Sequence, residues 1–237
     1  MNTTAYRPPT WSMMPPVIKN LLIINALAFF AQFVFSGVGQ GFIERWFALW
    51  PAGTPDVVPS PFGGLTAVPQ FYPWQLVTMA FLHGGIGHIL INMFMLWMFG
   101  MRIENVWGSQ RFALYYFACV LGASVLQLVV ISAPFWFGIG DPVIVPTLGA
   151  SGGALGVILA FGMMYPDEPI YLYFFVPIKA KWLVVGLVVL DLYAGVTGTQ
   201  AGVANFAHLG GMLTGFLLIQ YWRGKLPVGP QRRREVY

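Results

Sequence analysis

The stretch Thr147-Leu148-Gly149-Ala150-Ser151-Gly152-Gly153-Ala154-Leu155-Gly156, continuing Val-Ile-Leu-Ala-Phe-Gly-Met-Met to Tyr165, has no charged residue and four glycines in its first ten positions. It is nearly long enough for a membrane helix of ~20 residues. Its glycines would let another helix backbone approach closely, as membrane helices do where small residues line the contact. Ser151 is the chemically distinctive residue in this run, and it sits near one end.

The rest of the chain reads the same way. Of 237 residues, 57% are hydrophobic and 8% are charged, with a mean hydropathy of +0.71. A soluble domain carries about 25% charged residues, so this chain lacks the polar surface to face water. Six apolar segments fall at roughly 17–37, 86–101, 112–133, 147–165, 181–196 and 203–222. The fold class expected is an all-α membrane protein, a six-transmembrane-helix bundle. One membrane domain over 17–222 follows a segment 1–16 and precedes a basic tail 223–237. The first run is long enough to span and further spans follow it, which argues against a cleaved signal peptide. The single cysteine, Cys119, rules out an internal disulfide and reads as a small packing residue.

Charge sets the orientation. The net charge of +4 would suggest nucleic acid only if the basic residues formed a surface stripe. Instead Arg7 and Lys19 flank the first segment, and Arg102 and Arg111 separate the second from the third. Lys179 and Lys181 lead into the fifth segment, and Arg223, Lys225 and Arg232 to Arg234 follow the sixth. Only Arg45 falls on the other side. The positive-inside rule therefore puts both termini in the cytoplasm, and no nucleic-acid partner is expected. The external loop 38–81 holds Trp46, Trp50, Phe71, Tyr72 and Trp74, aromatics suited to the headgroup layer, so a partly membrane-resting loop is expected. The apolar stretch 170–177 is expected at the interface on the inner side.

Polar groups within apolar segments are functional-site candidates. Here they are Ser151, His208, His88, Asn92 and Asp191. The fourth and sixth segments enter from the external side, which puts Ser151 and His208 at similar depth about one turn in. The second also descends from outside, with His88 and Asn92 in its first two turns. His208, Gly211 and Gly215 share a helix face, and Gly149 and Gly152 flank Ser151, so these glycines are expected to support close helix packing. A serine needs a neighbouring base to become nucleophilic, and imidazole suits that role near neutral pH. His88 and Asn92, one turn apart, can aim donors at one point, as a developing oxyanion requires. Singly, each residue has a plain structural reading as a helix–helix hydrogen bond or a packing residue. Four of them at one depth on three helices favour a site, and the pattern alone leaves both readings open.

Three motifs together resemble the rhomboid family of intramembrane serine proteases. They are His83-Gly-Gly-Ile-Gly-His88-Ile-Leu-Ile-Asn92, Gly149-Ala-Ser151-Gly152, and Ala207-His208-Leu-Gly-Gly211 with Gly215. Glu104 with Trp107-Gly108 fits the turn that the family shows after its second helix. The resemblance covers about 74–218 in the right order and implies the family's six-helix bundle. It also implies Ser151 as nucleophile, His208 as general base and acid, and His88, Asn92 and the Ser151 N–H as the oxyanion site. It implies a dyad with no third carboxylate, no metal and no cofactor. Transmembrane protein substrates, cut near the external face, would enter laterally between segments two and five. Leu155 stands where the family often has an aromatic, and Trp74-Gln75 where it often has Trp-Arg. His83 is expected to be structural. Asp191 is expected to be a buried hydrogen-bonding residue or a carboxylate near the surface, with a triad role only a remote option. The rival readings are a catalytically silent relative that binds membrane clients, a small transporter using His88, His208 and Asp191, and an acyltransferase or lipid hydrolase.

Overall fold

Pro15 and Pro16 open the first helix, where a missing N–H costs nothing and a fixed φ is already helical. That helix, α1, runs Pro16–Phe35. The computed structural model describes residues 11–36, 41–60, 63–138, 140, 142–172, 175–199 and 204–227. Arg7, most of the segment 1–16, position 203 and Arg232 to Arg234 of the basic tail lie outside the described residues. The later long helices are α4 (Ile86–Trp107), α5 (Ser109–Phe137), α6 (Ser151–Met164), α7 (Ala180–Thr197) and α8 (Asn205–Trp222). Of these, α1, α4, α5 and α7 are long and apolar enough to cross a membrane. In α8, the polar residues Asn205, His208, Thr214 and Gln220 lower the hydropathy.

Two boundaries differ instructively from the apolar segments. First, α4 and α5 run beyond 86–101 and 112–133 and are separated only by Gly108, at φ 79°. The charged residues there stay helical because partners hold them. The Glu104 carboxylate accepts the Val17 and Ile18 N–H groups, each at 2.9 Å, and the Ser109 hydroxyl at 2.6 Å. One buried side chain thus satisfies two of the donors that the start of α1 would otherwise leave unmade. Second, α6 starts at Ser151 and not near 147. Gly149 sits at φ 128°, outside helical space, and Thr147 pairs with Leu49 in an isolated antiparallel bridge. The fourteen residues of α6 rise roughly 21 Å at 1.5 Å per residue, less than the ~30 Å hydrocarbon core. This shortness costs little, because eleven of its residues are buried and α4, α5, α7 and α8 surround it.

Glycines set the closest crossing. A Cβ on Gly211 would meet the Gly152 carbonyl oxygen and lie 2.8 Å from the Gly152 carbonyl carbon, so α6 and α8 touch backbone to backbone. Gly215 faces α5 instead, where a Cβ would meet the Tyr115 hydroxyl and approach the Cys119 sulfur at 3.1 Å. The outer faces carry exposed apolar residues such as Phe30 and Phe33 of α1 and Val189, Leu192 and Val196 of α7. Contiguous apolar surface of this extent belongs in lipid.

Between α1 and α4 the chain forms the short helix α2 (Phe42–Phe47), a β1–β2 hairpin (Val57–Pro59 with Leu65–Ala67) and the short helix α3 (Gln75–Thr78). Tyr72 stacks between Trp46 and Trp74, with ring centroids 5.4 and 4.6 Å away. Gln75 is fully buried, accepting the Trp50 N–H and donating to the Trp46 and Gln70 carbonyls. A neutral amide therefore ties this loop together at the position where an arginine is common in the family. The stretch 170–177 contributes to a second hairpin, β3 (Pro169–Leu172) with β4 (Val176–Lys179). At the end of the bundle opposite Ser151, Arg102 pairs with Glu168 at 2.7 Å and Asp167 takes both Lys179 and Lys181. There Arg111 lies 4.2 Å over the Trp222 ring, and Arg223 donates to the Met163 carbonyl. The positive charges of the described residues, Arg45 apart, thus gather at that end.

Candidate active site

Ser151 is the first residue of α6, so its backbone N–H has no acceptor within the helix and lies at the positive end of the helix dipole. His208 is in the first turn of α8. The Gly152–Gly211 crossing brings the two together, with Ser151 Oγ 2.8 Å from His208 Nε2. Both line a cavity of about 910 Å³ that also holds His88 and Asn92. The four residues singled out at one depth in the sequence therefore meet in one chamber.

His88 has a defined tautomer. The Gly84 N–H donates to its Nδ1 at 3.2 Å, so a neutral His88 carries its hydrogen on Nε2. A Cβ on Gly149 would lie 2.9 Å from that nitrogen and 3.7 Å from Ser151 Oγ. Gly149 is thus required twice, for a positive φ that side chains rarely adopt and for room beside His88. Its role differs from the helix packing expected of it, because it packs against an imidazole in the turn before α6. Asn92 is buried and donates one amide hydrogen to the His88 carbonyl at 2.9 Å, while its Oδ1 has no partner among the described residues. Leu155 lies one turn below Ser151 in the same wall.

His83 stays outside the cavity wall. Gln32 holds its backbone on both sides, accepting the His83 N–H at 2.9 Å and donating to its carbonyl at 3.3 Å. Burial, helped by nearby His88, holds its imidazole down at about 4.

Asp191 is the residue whose placement the sequence left least defined. It is buried on α7, and its Oδ1 lies 2.9 Å from His208 Nδ1. Asp191, His208 and Ser151 therefore form a continuous hydrogen-bonded line. The only signal in the sequence was an acid inside an apolar helix, which pointed to a partner without naming it. The cavity is lined by α4 (Ile91, Met95), α7 (Leu187, Leu190), α5 (Gln127, Ile131) and the loop before α6 (Val143, Val145 to Leu148). Among the described residues, no cluster of three or more His, Cys, Asp or Glu could hold a metal ion.

The chain is similar in sequence to known proteins. The chain is 36% identical over 143 residues to RHOMBOID-like protein 12, mitochondrial, of Arabidopsis thaliana, covering 57% of this chain and 42% of that protein. It is 29% identical over 143 residues to Rhomboid protease GluP of Bacillus subtilis (strain 168), covering 60% and 25%. It is 28% identical over 164 residues to Rhomboid protein 1, mitochondrial, of Saccharomyces cerevisiae, covering 68% and 45%. The chain thus spans less than half the length of these relatives. Residues 70–224 match the family model described as Rhomboid domain, a stretch that takes in Ser151, His208 and the helices that hold them, and the chain is an integral membrane protein that belongs to the rhomboid family.

Proposed function

We propose that the chain is an intramembrane serine endopeptidase that cleaves transmembrane protein substrates near the external membrane face. The observation that carries this reading is the 2.8 Å contact between Ser151 Oγ and His208 Nε2 in the wall of a cavity. A serine is activated when a base stands at hydrogen-bond distance. His208 Nε2 takes the hydroxyl proton as Oγ attacks the scissile carbonyl. The oxyanion that forms receives the Ser151 N–H, the His88 Nε2–H and the Asn92 amide. His208 then returns the proton to the leaving amine, and water hydrolyses the acyl-enzyme by the same base. No metal or cofactor enters this scheme. Gly149, Gly152, Gly211 and Gly215 support it by allowing the close approaches described above.

In this reading α1 and α4 to α8 form a six-helix membrane domain over 17–222, flanked by cytoplasmic segments 1–16 and 223–237. The loop between α1 and α4 rests partly in the headgroup layer, in contact with lipid. The lateral way in for substrate lies between α4 and α7, which both line the cavity. The compartment is read from charge alone, with the basic end facing the cytoplasm as in a bacterial cell (inner) membrane. The relatives come from a bacterium and from mitochondria, so targeting of the native protein tests this part separately.

The decisive experiment labels the detergent-purified protein with a serine-directed fluorophosphonate, beside Ser151→Ala and His208→Ala. Labelling present in the wild type and lost in both variants is the expected result. A folded wild type that neither labels nor cleaves a transmembrane test substrate would overturn the reading in favour of a silent client-binding relative.

A further inference from the structure

We propose that Asp191 is a positioning residue for His208, which makes the catalytic group of this chain a Ser151–His208–Asp191 line and not a dyad. The inference rests on the proteolytic reading above. The two side chains are mostly buried, 15% exposed for His208 and 11% for Asp191, and both line the cavity. An ionised carboxylate can only accept, so the hydrogen at the 2.9 Å contact belongs to His208 Nδ1. The lone pair is then on Nε2, facing Ser151 Oγ. Without the carboxylate either tautomer is open to the ring, and the Nε2–H form sets a donor against the serine hydroxyl and cannot accept its proton. When Nε2 takes that proton, the imidazolium stands beside a negative charge in a site screened from water. Asp191 orients and stabilises the ring without accepting its proton, the role a carboxylate plays in soluble triads.

The neighbourhood of Asp191 favours this role. On α7 the adjacent Leu192 is exposed on the apolar outer face, while Asp191 and Ala194 turn inward. Among the described residues, the recorded hydrogen-bond partner of Asp191 is His208. A buried acid on an otherwise apolar helix needs such a partner, and here that partner is the base. The other groups facing His208 are Ser151 from α6 and His88 from α4, across the cavity. From α5, Gly122 and Ala123 pack against Gly210, and the titratable Tyr115 and Cys119 lie farther down, beside Gly215.

The test uses the full chain in phosphatidylethanolamine–phosphatidylglycerol vesicles with a transmembrane substrate. Asp191→Asn should lower kcat about 100-fold, less than the ~10⁴ known for a soluble triad, and leave KM within about twofold. Asp191→Glu, which keeps the charge, should recover at least tenfold of that loss. The ascending limb of kcat/KM against pH should move to lower pH in Asp191→Asn, because the imidazolium loses its neighbouring charge. Nitrogen NMR of ring-labelled wild type should show His208 protonated on Nδ1. Turnover of Asp191→Asn within twofold of wild type, with an unmoved pH limb, would overturn the inference while Ser151→Ala remains dead. Cleavage retained in Ser151→Ala would instead defeat the serine-protease reading on which the inference rests. Should Asp191→Asn fail to fold, the wild-type tautomer decides alone, and an Nε2-protonated neutral His208 defeats the proposal.

Discussion

The two ends of the bundle are built on opposite principles. At the basic end the charged groups are matched: Glu104 takes three donors, Asp167 two lysines, and Arg102 pairs with Glu168, while Gln220 Oε1 is buried without a partner among the described residues. At the Ser151 end, Asn92 Oδ1, Gln127 Oε1 and both His83 ring nitrogens are buried without partners among the described residues. Buried polar groups are normally hydrogen-bonded, and each exception calls for a reason. At Asn92 and Gln127 the reason is the cavity, which both line. Ion pairs gather at one end and the Ser151–His208 contact lies at the other.

That division can be broken by experiment. The largest effect expected is on catalysis: Ser151→Ala should abolish turnover, a loss on the order of 10⁶, with the melting temperature in detergent unchanged. A drop of several degrees would show that the Ser151–His208 contact also carries stability. Next, Asn92→Ala should lower kcat by on the order of 10²–10³ if its amide is a principal oxyanion donor, again with little change in melting. An unaffected rate would remove Asn92 from the oxyanion site. Glu104→Ala should do the reverse. It leaves the Val17 and Ile18 N–H groups unpaired, costing about 2–4 kcal/mol of stability, while the rate per folded molecule stays within about twofold. A rate loss larger than the stability loss would mean the two ends are coupled.

The smallest effect concerns pH. His83 is neutral in the fold, held at about 4 against an ordinary 6.5. Between those values the unfolded chain binds the extra proton, so stability is full above about 6.5 and declines as pH falls toward 4. The decline should be on the order of 1–3 kcal/mol, read from melting temperatures across that window. His83→Gln should flatten the profile, and an equal slope in the variant would assign the acid sensitivity elsewhere.

Much of the site was legible because its signals are local. Ser151 with its glycines, His208 with Gly211, and His88 one turn from Asn92 each declare themselves within ten residues. The meeting of Asp191 with His208 was not legible. It depends on which face of α7 turns inward, and that helix is apolar nearly all round, so periodicity cannot orient it. The start of α6 differs from the apolar segment because uncharged residues continue through Thr147 and Leu148, although Gly149 held the correct signal. The extra turns of α4 and α5 were hidden for a different reason. Hydropathy ends a membrane segment at Arg102, whereas the backbone ends its helix only at Gly108.

The contact of Gly152 with Gly211 has a consequence for how the protein meets its surroundings. Because main chain rests on main chain there, α6 and α8 behave as a single rigid jig for the reacting atoms. Interiors packed this densely deform little. A thinner or thicker bilayer, or a warmer one, should therefore alter how often a substrate arrives far more than how well Ser151 and His208 are aligned when it does.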